Sequence, residues 1–228
     1  MWAQLGAALE TAREKTVGVA LKALGDAKAR RDAATFSMAL IALSAKIAKA
    51  DGAATDDEFA AFEDFFAFPK EEAPKVRMIY DLAKQDVAGF EHYVKQVAEL
   101  YAAAPAILED VVDCLFHIAA ADGVAHPREL EMLETAAKAF GIAPGCFARI
   151  KAAHLGIEGD DPLFILGLPP DADADAVKGA FRRLARLHHP DALVARGVPE
   201  HLVGIAQGRM AAINDAYARA MERANGVA

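Results

Sequence analysis

The chain has 228 residues, enough for one large domain or two small ones with a buried core. A formal charge of −8 at pH 7 and a pI near 5.4 exclude broad nucleic-acid binding, which needs a basic footprint. Hydrophobic residues make up 54%, with Ala the commonest and few β-branched runs, a composition that favours closely packed helices.

Residues 2–30 read as one helix, with Trp2, Leu5, Leu9, Ala12 and Thr16 roughly on one side. Arg13, Lys15 and Lys22 break the stripe, and Gly6, Gly18 and Gly25 weaken it by about 1 kcal/mol each relative to Ala. The pattern fits a loosely attached partner-binding helix better than an interfacial membrane helix anchored by Trp2. From Ala33 to Ala50 runs a buried helix carrying Phe36, Leu40, Leu43 and Ile47, ended by Asp51-Gly52. Thr55 and Glu58 form a capping box for a helix with Phe59, Phe62, Phe65 and Phe66. Further helices are predicted at about Ala73–Gln85, Gly89–Tyr101, Pro105–Ala121, Pro127–Phe140 and Gly145–Ala153, several with Pro at the start. No segment alternates with a two-residue period, so the fold class is all-α.

Cys114 and Cys146 lie in this helical region with no CxxC or zinc spacing, and read as buried reduced thiols of a reducing compartment. No run reaches about 18 uninterrupted apolar residues, and the N-terminus lacks a charged n-region followed by an apolar h-region. The expected location is cytoplasmic, with peripheral attachment at the inner membrane as the alternative.

Ala50-Asp51-Gly52 and Glu58 recur as Ala121-Asp122-Gly123 and Glu129, 71 residues later. Each copy places a buried helix, an Asp-Gly break and a second apolar helix in order, so two related hairpins are expected to pack as a bundle. Asp, Gly and Glu at this spacing match the second half of an EF-hand loop, but the first and third ligand positions would be Ile47 and Lys49, or Ile118 and Ala120. No metal and no cofactor is therefore expected. Asp51, Glu58, Asp122 and Glu129 read as helix caps, with a weak shared divalent site as the lesser alternative. These paired helix hairpins, over about residues 33–153, resemble the TerB-like (tellurite-resistance B) helical domain.

Residues 154–160 are polar, contain Gly156 and Gly159, and mark a boundary. The expected division is an N-terminal helix at 1–30, the TerB-like domain at 31–153, the linker, and a C-terminal domain at 161–228. In that last part a short helix closes at Gly167, and Asp173 or Asp175 opens a helix from Ala174 to His188. Val177, Phe181, Leu184 and His188 form its buried stripe. Lys178, Arg182 and Arg186, with Arg183 beside them, lie on the opposite face with no acid there to neutralise them. A second long helix, about Pro199–Ala224, carries Leu202, Ala206, Met210, Ile213, Tyr217 and Ala220 on one stripe, so the two helices are expected to pack antiparallel.

His189-Pro190-Asp191 falls in the exposed turn between them, where Pro190 ends the first helix. No Ser or Cys nucleophile lies near for a catalytic His–Asp pair. His188 and His189 point about 100° apart, which is poor for metal. The protein is not expected to be an enzyme, and a docking turn beside a basic helix is the better reading.

Asp161-Pro162, Leu166-Gly167-Leu168, the run Ala180–Ala185, His189-Pro190-Asp191 and Ile213–Tyr217 resemble a J-domain over about residues 160–224. The resemblance implies docking on a DnaK-class chaperone and stimulation of its ATP hydrolysis. It makes His189, Pro190 and Asp191 the essential loop, with Lys178, Arg182 and Arg183 as the basic docking positions and Phe181 where Tyr is usual; Arg186, on the same basic face, is a further candidate for partner binding. Gly179 and Ala192 stand where basic residues are common, and Leu193–Val198 lengthens the turn. A TerB-like domain followed by a terminal J-domain resembles the DjlA-type co-chaperones. Such proteins usually bear an N-terminal membrane helix, where this chain has a charged, Gly-spotted one. The implied function is a stress-response co-chaperone whose TerB-like domain is a client or localisation adaptor. The alternative is an acidic metal-binding scaffold with the J-domain as a tether.

Overall fold

The computed structural model describes residues 2–50, 56–66, 70–85, 87–121, 125–155 and 161–226, with side chains from residue 25 onward except those of 56–58, 64, 225 and 226. Among these residues the secondary structure is entirely helical, the all-α class that the sequence predicts. The first helix, α1 (Trp2–Ala48), runs unbroken where two helices were expected. Between Gly25 and Thr35 the sequence holds Ala, Lys, Arg and Asp and no Pro, so nothing there stops a helix. The change of pattern marks a change of exposure: residues 25–31 face solvent, whereas Phe36, Leu40, Leu43 and Ile47 are fully buried. The Trp2 stripe lies outside the described side chains.

The buried end of α1 packs against α3 (Ala73–Ala83), α4 (Phe90–Leu100) and α5 (Pro105–Ala119), and touches α2 (Asp56–Asp64). Rings fill the joints. Phe62 stacks on Phe66 at 4.1 Å, Phe59 meets Tyr80 edge-on at 4.9 Å, and Arg77 lies 4.0 Å above Phe59. Gly89, at φ 77°, opens α4 in a conformation that favours glycine.

Helix α5 is the hub. From Ile107 to Ala119 nearly every side chain is buried, because α1, α2, α6 (Pro127–Ala139), α7 (Pro144–Leu155) and two later helices cover it from all directions. Residues Cys114 and Cys146 are both free and buried. The two hairpins of the repeat become α1–α2 and α5–α6.

After α8 (Pro162–Ile165) come α9 (Ala174–His188), α10 (Pro190–Ala195), a 3-10 turn at Glu200–Leu202, and α11 (Gly204–Gly226). Asp173 caps α9 by accepting the Ala176 N–H at 2.8 Å. Helices α9 and α11 run antiparallel. Phe181 stacks on Tyr217 at 4.3 Å, while Asp173 and Ala174 share a cleft with Ala220 and Arg223. Leu163, Val177, Ala180, Ile213, Ala216 and Ala220 form a small core of their own.

The segment between α9 and α11 departs from expectation. Leu193–Val198 is not only an added turn: its first half completes α10, and Leu193 and Val198 enter the large N-terminal core. Leu202, Ile205 and Ala206 enter it too. The stripe on α11 is thus divided: its first turns cover the N-terminal bundle, and Ile213 onward covers α9.

Gly204 and Gly208 permit this approach. A Cβ at Gly204 would lie 2.3 Å from the Phe65 carbonyl oxygen, and one at Gly208 would lie 2.6 Å from the Phe65 ring. Gly204→Ala is expected to destabilise the protein by at least about 2 kcal/mol, since backbone cannot yield as a side chain can. Gly179→Ala, in an exposed helix interior with nothing within 4 Å of the new methyl, should gain about 0.5–1 kcal/mol. Urea unfolding of the two variants checks both signs.

Candidate docking site

Pro190 sets the geometry of the turn. Its ring disfavours a helical conformation at His189, which is extended at φ −65° and ψ 137°, so α9 ends at His188. Pro190 is then the first residue of α10, where its missing N–H costs nothing. The ring Nδ1 of His189 accepts the Asp191 N–H at 3.2 Å and caps α10. Both side chains face solvent, His189 at 56% and Asp191 at 94% exposure, with His189 Nδ1 3.7 Å from the Asp191 carboxylate. Pro190 is half-buried.

Arg182, Arg183 and Arg186 are exposed along α9 and have no ion-pair partner among the described residues. Lys178 corrects an expectation. It pairs with Asp175 at 3.3 Å, one turn earlier, so the basic face does hold an acid. Asp175 is 91% exposed, and such a pair in water contributes little. Phe181 is half-buried, and its stack on Tyr217 puts much of the ring into the contact between α9 and α11.

Among the acidic repeat positions, Asp51 and Asp122 and the side chain of Glu58 lie outside the described residues. Glu129 is buried, and its carboxylate accepts the His126 N–H at 2.8 Å, fixing the start of α6. Among the described residues no cluster of His, Cys, Asp or Glu could hold a metal ion.

A buried polar cluster absent from the sequence reading lies directly behind the turn. Asp110 and Asp113, one turn apart on α5, are fully buried. His188 Nδ1 sits 2.6 Å from Asp110 Oδ1, and His188 Nε2 lies 3.6 Å from Glu109. Arg209 of α11 donates to Asp113 at 3.3 Å, and His154 Nε2 at the end of α7 is 3.2 Å from the same oxygen. Burial pushes the Asp110 carboxyl up to about 6 even though His188 and Arg209 pull it down. Burial would raise Asp113 too, but His154 and Arg209 together hold it below the usual carboxylate range. The signal for this cluster was present in the sequence. Two Asp stand inside the apolar run Ile107–Ala119, and Arg209 interrupts a stripe of small and apolar residues. Each needs a buried partner, although sequence alone does not say which.

The class of protein follows from this geometry. It is an all-helical chain whose C-terminal helix pair is set into an N-terminal bundle and presents an exposed His-Pro-Asp turn beside arginines. The family model described as "Tellurite resistance protein TerB" matches residues 37–152, about half of the chain, and the chain belongs to that family. It is similar to "Co-chaperone protein DjlA" of Vibrio parahaemolyticus, 25% identical over 225 residues, covering 85% of this chain and 79% of the relative. The DjlA co-chaperone of Escherichia coli K12 is 30% identical over 120 residues, covering 42% of this chain and 44% of the relative. That of Yersinia pestis is 31% identical over 125 residues, covering 42% and 45%. Matches to these last two span less than half of the relatives' length. By family and relatives the chain is of the DjlA type. No solved structure gives a significant match. Among the described residues no helix is long and apolar enough to cross a membrane.

Removing Arg209 while Asp113 stays buried should be costly, whereas removing both should not. Arg209→Met is expected to destabilise by about 3–5 kcal/mol, and the Arg209→Met, Asp113→Leu pair to recover more than half of that, read by urea unfolding at neutral pH. Asp110 supplies a pH signature of definite sign. Its folded pKa of about 6 lies above the ordinary value of 3.8, so the folded state holds its proton more tightly than the unfolded chain. The stability difference between wild type and Asp110→Asn should therefore fall, on the order of 1–3 kcal/mol, as pH rises from about 4 to about 6. Unfolding midpoints across that range read the slope.

Proposed function

We propose that this protein is a co-chaperone that docks on a DnaK-class chaperone through His189, Pro190 and Asp191 and stimulates its ATP hydrolysis, without catalysis of its own. One observation carries the reading: the His189–Asp191 turn stands exposed at the end of a helix whose Arg182, Arg183 and Arg186 also face solvent. The segments that resemble a J-domain lie in and around α8, in α9, in the turn and in α11, an order that supports this reading. The relatives named as DjlA co-chaperones support the same reading.

In this proposal the arginines supply charge-assisted contacts and steer an acidic surface of the chaperone towards the turn. Lys178 contributes through the same face, its weak pair with Asp175 giving way to the partner. Phe181 contributes from the side, because its ring is largely occupied by Tyr217. We assign the TerB-family bundle the part of client or localisation adaptor, and divide the chain at residues 154–160.

Single-turnover ATP hydrolysis by the chaperone, with and without this protein, tests the reading. A rate increase of tenfold or more is expected, abolished by His189→Gln and weakened several-fold between about 50 and 300 mM salt as the arginines are screened. Stimulation that survives His189→Gln would reject the mechanism.

A further inference from the structure

Both ends of the exposed turn are tied to the N-terminal bundle. On the entry side, His188 is fully buried and bonded to Asp110 of α5 at 2.6 Å. On the exit side, Leu193 is fully buried in the bundle's core, three residues after Pro190. The Arg196 guanidinium then reaches back to the Leu187 carbonyl at 2.9 Å, satisfying an oxygen left free by the end of α9. Tyr101 O–H donates to the Gly197 carbonyl at 3.4 Å, and Ser37 Oγ meets His201 Nε2 at 2.9 Å, so α1 and the residue that caps α4 hold the same segment. A helix as short as the six-residue α10 has no stability by itself.

We propose that Asp110 is a positioning residue for the His189–Asp191 turn, so that the TerB-family bundle is part of the docking element and not an appendage to it. This rests on the co-chaperone reading for its consequence, although the clamp can be observed without any chaperone. Helices α9 and α11 keep their own small core, so their pairing does not depend on Asp110. What depends on it is the last turn of α9. Without the carboxylate, the buried His188 ring keeps only Glu109, 3.6 Å away, and the link from α9 to α10 loosens.

The expected signature follows from a turn that is right but present for less of the time. Apparent affinity falls in proportion to the competent fraction, whereas the saturated rate does not change. In the full chain, Asp110→Ala should raise the concentration for half-maximal ATPase stimulation about tenfold and leave the maximum within twofold of wild type. Asp110→Asn, whose amide oxygen can still accept from His188, should restore the half-maximal concentration to within about threefold. Leu193→Ala, at the other anchor, should reproduce the Asp110→Ala effect. Amide exchange supplies the readout that needs no chaperone. The Leu193 and Val198 amides, bonded to the His189 and Leu193 carbonyls, should be protected in wild type and exchange at least tenfold faster in Asp110→Ala, with Val177 unchanged. A folded Asp110→Ala with wild-type half-saturation, or Leu193 and Val198 amides that exchange in wild type as fast as in an unfolded peptide, overturns the proposal. If wild type clamps the turn but stimulates no ATPase, the co-chaperone reading fails and the proposed consequence fails with it, while the exchange result stands separately.

Discussion

Two carboxylates buried one turn apart on α5 constrain the rest of the chain. A helix covered from every side leaves no water for Asp110 and Asp113, and an ionised carboxylate in such a place needs a charged or hydrogen-bonding partner. Those partners come from three distant segments: His188 at the end of α9, Arg209 in α11 and His154 at the end of α7. The bundle and the C-terminal helices are consequently not independent bodies joined by a tether. The polar cluster adds little net stability compared with an apolar core of the same shape.

Close backbone approach makes the arrangement possible. With glycine at positions 204 and 208, the first turns of α11 lie directly against Phe65, and this brings Arg209 within reach of Asp113. The same approach carries Leu202, Ile205 and Ala206 into the bundle's core. One helix thereby serves two cores in succession. The exchange falls between Ala206 and Ile213, with the buried Arg209 at the seam.

Much of this was legible in advance, and the exceptions share a cause. Periodicity and end signals placed most helices within about two residues, including α9 from Ala174 to His188. They also separated His188, turned inward, from His189, turned outward, because Pro190 forces the break there. A buried stripe, however, states that a face is covered without saying by what. For that reason Leu202 and Ala206 looked like partners of α9, and Leu193–Val198 looked like an insertion that lengthens the turn. The continuity of α1 was hidden by a change in polarity, which reports exposure and says nothing of where a helix stops. Asp110, Asp113 and Arg209 were hidden for a related reason. A charge inside an apolar run announces that it has a partner, but the partners here lie 78 and 96 residues away along the chain.

The packing of α9 on α11, with His188 against α5 at its end, also sets which way the basic face points. At about 100° per residue, Arg186 lies roughly opposite His188 around α9, with Arg182 and Arg183 on either side of that direction. Fixing His188 against α5 therefore turns all three arginines away from the bundle. That orientation matters for a chain of net charge −8, in which 24 of the 33 acidic residues precede residue 159. Were α9 free to rotate, its arginines could pair with carboxylates of the bundle and be neutralised within the molecule. With Val177 and Ala180 packed on α11 and His188 on α5, they face solvent, and Lys178 is matched locally by Asp175. The buried face of the helix thus leaves the arginines on the other face unpaired.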